Sequence, residues 1–186
     1  MSLRGKIKQK IHKVKAKLGM VPRGRVLPKQ SYAAYGGGLV VAHTYLLARH
    51  LRNGVEIDRR EVHDRVVTTA FVNDIVDNLI AETSAFGDYK YHDSGTGTGD
   101  EAIGDTSLGT PCGEARDTGT QVEGAANVYT SVATHTYAGA FAITEHGLFN
   151  ASTSGTLMDR TKFAAINVSA TDQIEFSFTI TFTAGG

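Results

Sequence analysis

No acidic residue occurs before Glu56, and the sequence holds a single cysteine and no apolar run long enough to cross a bilayer. Each absence removes a class of protein. The lone Cys112 cannot close an internal disulfide, and in a Gly/Thr-rich loop it reads as an incidental thiol in a reducing compartment. A membrane-spanning helix needs about 20 apolar residues, whereas the longest candidate here is Gly38 to Ala42. The basic N-terminus lacks the apolar core of a signal peptide, so the chain is read as soluble and not exported by that route.

Catalytic and metal-binding motifs are missing as well. His92, His135 and His146 lie near Asp93, Glu145 and Asp159 in sequence, but no pair has H-E-x-x-H or C-x-x-C spacing. The Gly-rich run after His92 lacks the Lys-Ser/Thr and following helix of a phosphate loop. Its isolated Asp residues lack calcium-loop spacing. No G-x-S-x-G elbow occurs. The expectation is therefore a non-enzymatic chain with no catalytic residue, no metal and no cofactor.

The net charge is zero, yet the charges are segregated. Twelve Lys and Arg precede Glu56 with no acidic partner, and from Glu56 onward 7 basic residues face 19 acidic ones. A basic arm, residues 1–55, is thus joined to an acidic body, residues 56–186. Within the arm, Ile7, Ile11, Val14 and Leu18 recur at roughly helical spacing among Lys6, Lys8, Lys10, Lys13, Lys15 and Lys17. Like-charge crowding makes such a helix marginal by itself. Gly19, Pro22, Gly24 and Pro28 then turn the segment into an extended arm. Arg4, Lys6, Ile7, Lys8, Lys10, Ile11, Lys13, Lys15, Arg23 and Arg25 are its candidate partner-binding residues.

After the hinge Gly36-Gly37-Gly38, spacing does not decide whether residues 39–51 form a strand or a helix. Asp58 and Glu61 resemble a capping box. Behind them Val62, Val66, Ala70, Phe71, Ile75 and Leu79 predict an amphipathic helix over about 59–82. A β-rich alternative stays open for the branched run from Val66 to Phe71. DYKYH reads as a short strand entering a stretch with nine glycines between Gly87 and Gly124, taken as surface loops available to neighbours.

Beyond Gly124 the period becomes two. Strands are predicted over 127–137, from Phe141, over 157–168 and over 173–183. Phe141, Ile143 and Phe149 are placed on one face of the second of these. In the last, Ile174, Phe176, Phe178, Ile180 and Phe182 point one way, each contributing about 1.5–3 kcal/mol on burial. A one-residue slip would expose them all. The fold class is mainly β, an antiparallel β-sandwich of jelly-roll type with one amphipathic helix across a sheet and an extended basic N-terminal arm. Glu145, Asp159 and Arg160 are the candidate structural brace across two strands, with Gly147 and Gly155 allowing the turns.

The run TEHGLFNA, then GTLMDRTKF and an alternating Phe/Thr last strand, resembles a module of small tailed-phage virion proteins, including capsid decoration (cement) and tail-fibre-associated proteins. YKYHDSGTGTGDEAIGDTSL resembles the loop that precedes it in those chains. The likeness spans about Val66 to Phe182. It implies a β-sandwich on a phage particle assembled in the host cytoplasm, a major capsid protein as partner, and a homotrimer at a local symmetry axis whose arms cross to neighbours. A tail, neck or fibre-attachment component is the alternative. DNA binding through the arm is the third, disfavoured because no aromatic residue precedes Tyr32 and no groove-reading fold is visible.

Overall fold

A computed structural model describes residues 39–80 and 85–185. Val41 to Thr183 form one compact unit. It opens with strand β1 (Leu39–Arg52), which settles the open question over residues 39–51. β1 turns back into β2 (Val55–His63) through Asn53 and Gly54, both with positive φ (52° and 78°). Asn-Gly is the preferred pair for a tight hairpin because both positions demand a left-handed backbone.

The predicted helix is therefore too long at its start. Residues 55–63 are an edge strand carrying Glu56, Asp58, Arg59, Arg60 and Glu61, a charge pattern that discourages pairing with another chain. Val62 and Val66 match helical spacing by coincidence, since a turn at Asp64 (φ 50°) separates them. Strand β3 (Val66–Val67) follows, and helix α1 is only Thr69–Leu79. Its cap is Thr68, whose hydroxyl accepts from the Phe71 amide at 3.2 Å and donates to the Leu157 carbonyl. The Asp58/Glu61 box caps nothing.

A short 3-10 turn (Ala85–Asp88) leads to β4 (Tyr91–Gly95), β5 (Asp117–Thr118) and β6 (Thr120–Glu123). Four long strands follow, namely β7 (Val128–Thr136), β8 (Phe141–Phe149), β9 (Leu157–Val168) and β10 (Gln173–Gly185). They assemble into two five-stranded sheets, β2-β1-β10-β7-β6 and β3-β9-β8-β4-β5. Among the described residues the chain is thus the expected mainly β, antiparallel sandwich with one α-helix. Because β1 lies between β2 and β10, residues 41–55 belong to the sandwich and not to the arm. The boundary suggested by charge at Glu56 therefore falls inside the first hairpin. The arm residues from Arg4 to Arg25 lie outside the described residues.

Ile174, Phe176, Phe178 and Ile180 point inward as their alternation requires, meeting Leu46 and Ala48 of β1 and Ile143, Leu148 and Ile166 of the facing sheet. Phe149 does not join them. The pairing of β8 with β9 shifts register between Ile143 and Glu145 and again between Leu148 and Phe149. A register shift changes the face a side chain occupies, and Phe149 packs in a separate cluster with Leu108 and Leu157. Leu108 belongs to the connection between β4 and β5. The glycine-rich stretch is thus no free surface loop over its whole length, for part of it covers the outer face of the second sheet. Gly147 is needed for this closeness and not for a turn. A Cβ there would stand 2.9 Å from Leu108 Cδ2 and 3.0 Å from Leu157 Cδ1. Gly155, at φ 76°, is the turn residue.

Candidate functional site

The brace forms between two of its three members. Glu145 of β8 and Arg160 of β9 lie on the covered outer face, where Arg160 Nε donates to Glu145 Oε2 at 2.7 Å. The carboxylate also accepts from the amides of Gly97 (2.9 Å), Thr110 (2.8 Å) and Gly109 (3.0 Å). Burial alone would push the Glu145 carboxyl up, but these amides and the guanidinium outweigh it and hold the group ionised. Arg160 reaches on to Asp105 Oδ2 at 2.9 Å and to the Gly99 carbonyl at 3.1 Å. The pair closes the loop over the sheet, and its legible part was the cross-strand distance. The loop amides that complete it come from 35 to 48 residues upstream.

Asp159 takes no part. It sits across from Leu148 in the β8–β9 pairing, on the face opposite Arg160, and is completely buried. One oxygen accepts from the Thr161 hydroxyl at 2.6 Å, while Oδ2 finds no hydrogen-bond partner. Burial pushes its carboxyl up to about 7, Thr161 opposing and the Glu101 charge adding to the rise.

Three strands converge in a buried polar line that the sequence reading missed. Ser131 of β7 lies 2.8 Å from His92 Nε2, and His92 Nδ1 lies 2.9 Å from His146 Nε2. His146 is fully enclosed against Phe176, with ring centroids 4.7 Å apart, and its Nδ1 has no partner. Burial lowers His92 to about 3, against the pull of Asp117, and drives His146 down as well, aided by His92. Both rings are neutral at pH 7, so the line is a core hydrogen-bond chain. Period-two placement of Ser131 and His146 was available as a signal, but their meeting with His92 depends on strand order.

A second cluster lies near the surface. His135 bonds Asp117 through Nδ1 and Glu114 Oε2 through Nε2 at 2.8 Å. Burial is the strongest single influence and disfavours the charge, yet bonds to Asp117, Cys112 and Glu114 together push His135 up to about 10. The Cys112 thiol is raised by burial but lowered overall by His135, Ser94 and the Glu114 amide. Because His135 holds its extra proton only when folded, its contribution is complete below about pH 6.5 and fades as pH rises through 10. His135→Gln is therefore expected to cost about 1–2 kcal/mol at pH 6 after allowance for solvent screening. The deficit should shrink toward pH 10 in urea titrations, and a deficit independent of pH would contradict the assignment. Among the described residues, no group of three His, Cys, Asp or Glu is arranged to hold a metal ion.

Ion pairing is complete on the basic side. All nine Lys and Arg of the described residues lie within salt-bridge distance of a carboxylate. Arg49 and Arg52, assigned from sequence to the arm, serve the body. Arg52 grips Asp172 with two bonds of 2.7 and 2.6 Å, and Arg49 reaches Glu175 at 2.5 Å. Arg60 satisfies the carbonyls of Ala164 and Ala165 at 2.9 Å each, next to the register shift of β9.

Comparison of the chain with protein-family models, curated proteins and solved structures gives no match.

Proposed function

We propose that the chain is a structural protein of a tailed-phage particle, a capsid decoration or cement protein that stabilises the head. In this reading the sandwich stands on the shell as a homotrimer, and residues 1–38 tie it to the major capsid protein. The complete internal pairing of the body's cations carries the reading. Residues 39–186 hold 9 basic and 19 acidic side chains, and residues 1–38 hold 10 basic and none acidic. The body thus satisfies its own cations and keeps a carboxylate excess. The basic segment has no acidic partner of its own, and charge of this kind steers a segment onto an acidic surface. Spaced Ile, Val and Leu then provide apolar anchors. The TEHGLFNA and GTLMDRTKF runs, buried as scaffold, agree with a role in holding shape.

Deleting residues 1–30 is expected to leave the β-rich circular dichroism and the thermal midpoint of the body unchanged while shells no longer retain the protein. Undiminished shell occupancy would overturn the proposal. Retention on tails instead of heads would move the protein to the neck or fibre attachment, and a steep salt-dependent affinity for duplex DNA would favour nucleic acid as the partner.

A further inference from the structure

We infer that Asn53, followed by Gly54, is a site of self-modification, where the side-chain amide is lost as ammonia and the tip of the β1–β2 hairpin acquires a carboxylate. Neither the arm nor a capsid takes part in it.

The chain has six asparagines, and Asn53 alone is followed by glycine. The β1–β2 ladder ends at Arg52 paired with Val55, so residues 53 and 54 are the two loop residues outside it. Both are exposed, and a Cβ added at Gly54 would meet nothing within 4 Å. Room therefore exists for the Asn53 side chain to swing over the next peptide. The other asparagines are held or hindered. Asn78 and Asn127 donate their amides to the Asp74 and Phe182 carbonyls, at 2.7 and 2.9 Å. The Asn150 oxygen accepts from the Thr156 amide at 2.7 Å. Asn73 lies within α1 and Asn167 within β9, where the backbone is fixed by helix and ladder.

The reaction needs water alone. The Gly54 nitrogen, on losing its proton to base, attacks Asn53 Cγ. The new N–Cγ bond closes a five-membered succinimide, and the bond from Cγ to the side-chain nitrogen breaks to release ammonia. Glycine leaves this approach open because it has no Cβ and tolerates the backbone rotation that closure requires. Water then opens the ring. Cleavage at Cγ gives aspartate, and cleavage at the main-chain carbonyl gives isoaspartate, through which the chain now runs by way of Cγ.

Each product alters the hairpin. Aspartate sets a second carboxylate next in sequence to Arg52, the residue that clamps Asp172 with bonds of 2.7 and 2.6 Å. Isoaspartate lengthens a two-residue turn by one main-chain carbon. Loop length and turn type set the pairing of a hairpin, so the end of edge strand β2 loosens.

The test is mass spectrometry of the purified full-length protein aged at neutral pH, natively and in urea, reading the tryptic peptide of residues 53–59. Native protein should convert at Asn53 ahead of the other five asparagines, at no less than about a tenth of the rate in urea, a tenfold gap being about 1.4 kcal/mol of barrier. Asn53→Gln should abolish the amide-to-acid mass gain in that peptide. Hydrogen exchange of the isoaspartate fraction should show lost protection at the Arg52 and Val55 end of the ladder while β10 holds. Native protein that stays unconverted while the urea sample reacts would overturn the inference, because the folded turn would then shield the amide. So would another asparagine reacting first, or an isoaspartate fraction whose hairpin amides are undisturbed.

Discussion

Replacement of Arg160 by methionine is expected to destabilise the sandwich by about 3–5 kcal/mol, the cost of leaving one member of a buried ion pair uncompensated. Glu145 would keep its three amide donors but lose the cation that balances it, while Asp105, still bonded to the Ala102 amide, and the Gly99 carbonyl lose the guanidinium. Arg160→Lys should cost less, because an ammonium keeps the charge but cannot hold Glu145 and Asp105 in one rigid fork. The midpoint of urea unfolding measures the loss, provided the slope of the transition is unchanged. Hydrogen exchange supplies the local signature. The Gly97, Gly109 and Thr110 amides should lose protection in the methionine variant ahead of the β10 core. A loss below about 1 kcal/mol, or exchange that accelerates uniformly, would mean that the pair does not hold the loop.

Asp159→Asn is expected to stabilise the protein above pH 7, the reverse of what removal of a charged group from an ion pair does. The folded carboxyl titrates near 7 and an unfolded one near 3.8. Between those values the folded state holds the extra proton, so stability from this group is complete below about pH 3.8 and is lost as pH rises through 7. Three units correspond to a penalty on the order of 4 kcal/mol at pH 8. Asparagine never ionises and can still accept from Thr161, so it avoids the penalty. His92 and His146 work in the opposite direction. Their folded values are depressed, so the unfolded chain takes up protons first and stability falls as pH drops below about 6.5. In the wild type these slopes oppose each other from about pH 4 to 6.5. The variant should therefore show the histidine slope alone, with its advantage over wild type growing from pH 4 to 7 and level thereafter. An advantage that is the same at every pH would refute the placement of Asp159 as a buried, half-satisfied acid.

What could be read from sequence follows from how local each signal is. Period-two alternation in β7 and β10 places Phe176 and Phe178 correctly because the pleat alone sets which face a side chain takes. Glu145 and Arg160 were within reach for the same reason, as near neighbours on adjacent strands. The Asn53-Gly54 hairpin carried a recognisable turn signature, and the apolar spacing across Val62 and Val66 obscured it. Other features had no local signal. Whether Phe149 faces the core depends on two register shifts in its pairing with β9. His92, His146 and Ser131 touch only because β4, β7 and β8 come together across two sheets. Sequence by itself determined the β class, the inward phenylalanines and the split between a basic segment and an acidic body, since periodicity and charge are properties of the chain. Only the tertiary structure decided that Asp159 is buried away from Arg160 and that a glycine-rich loop roofs the second sheet, because these depend on which distant strands pair and in what register.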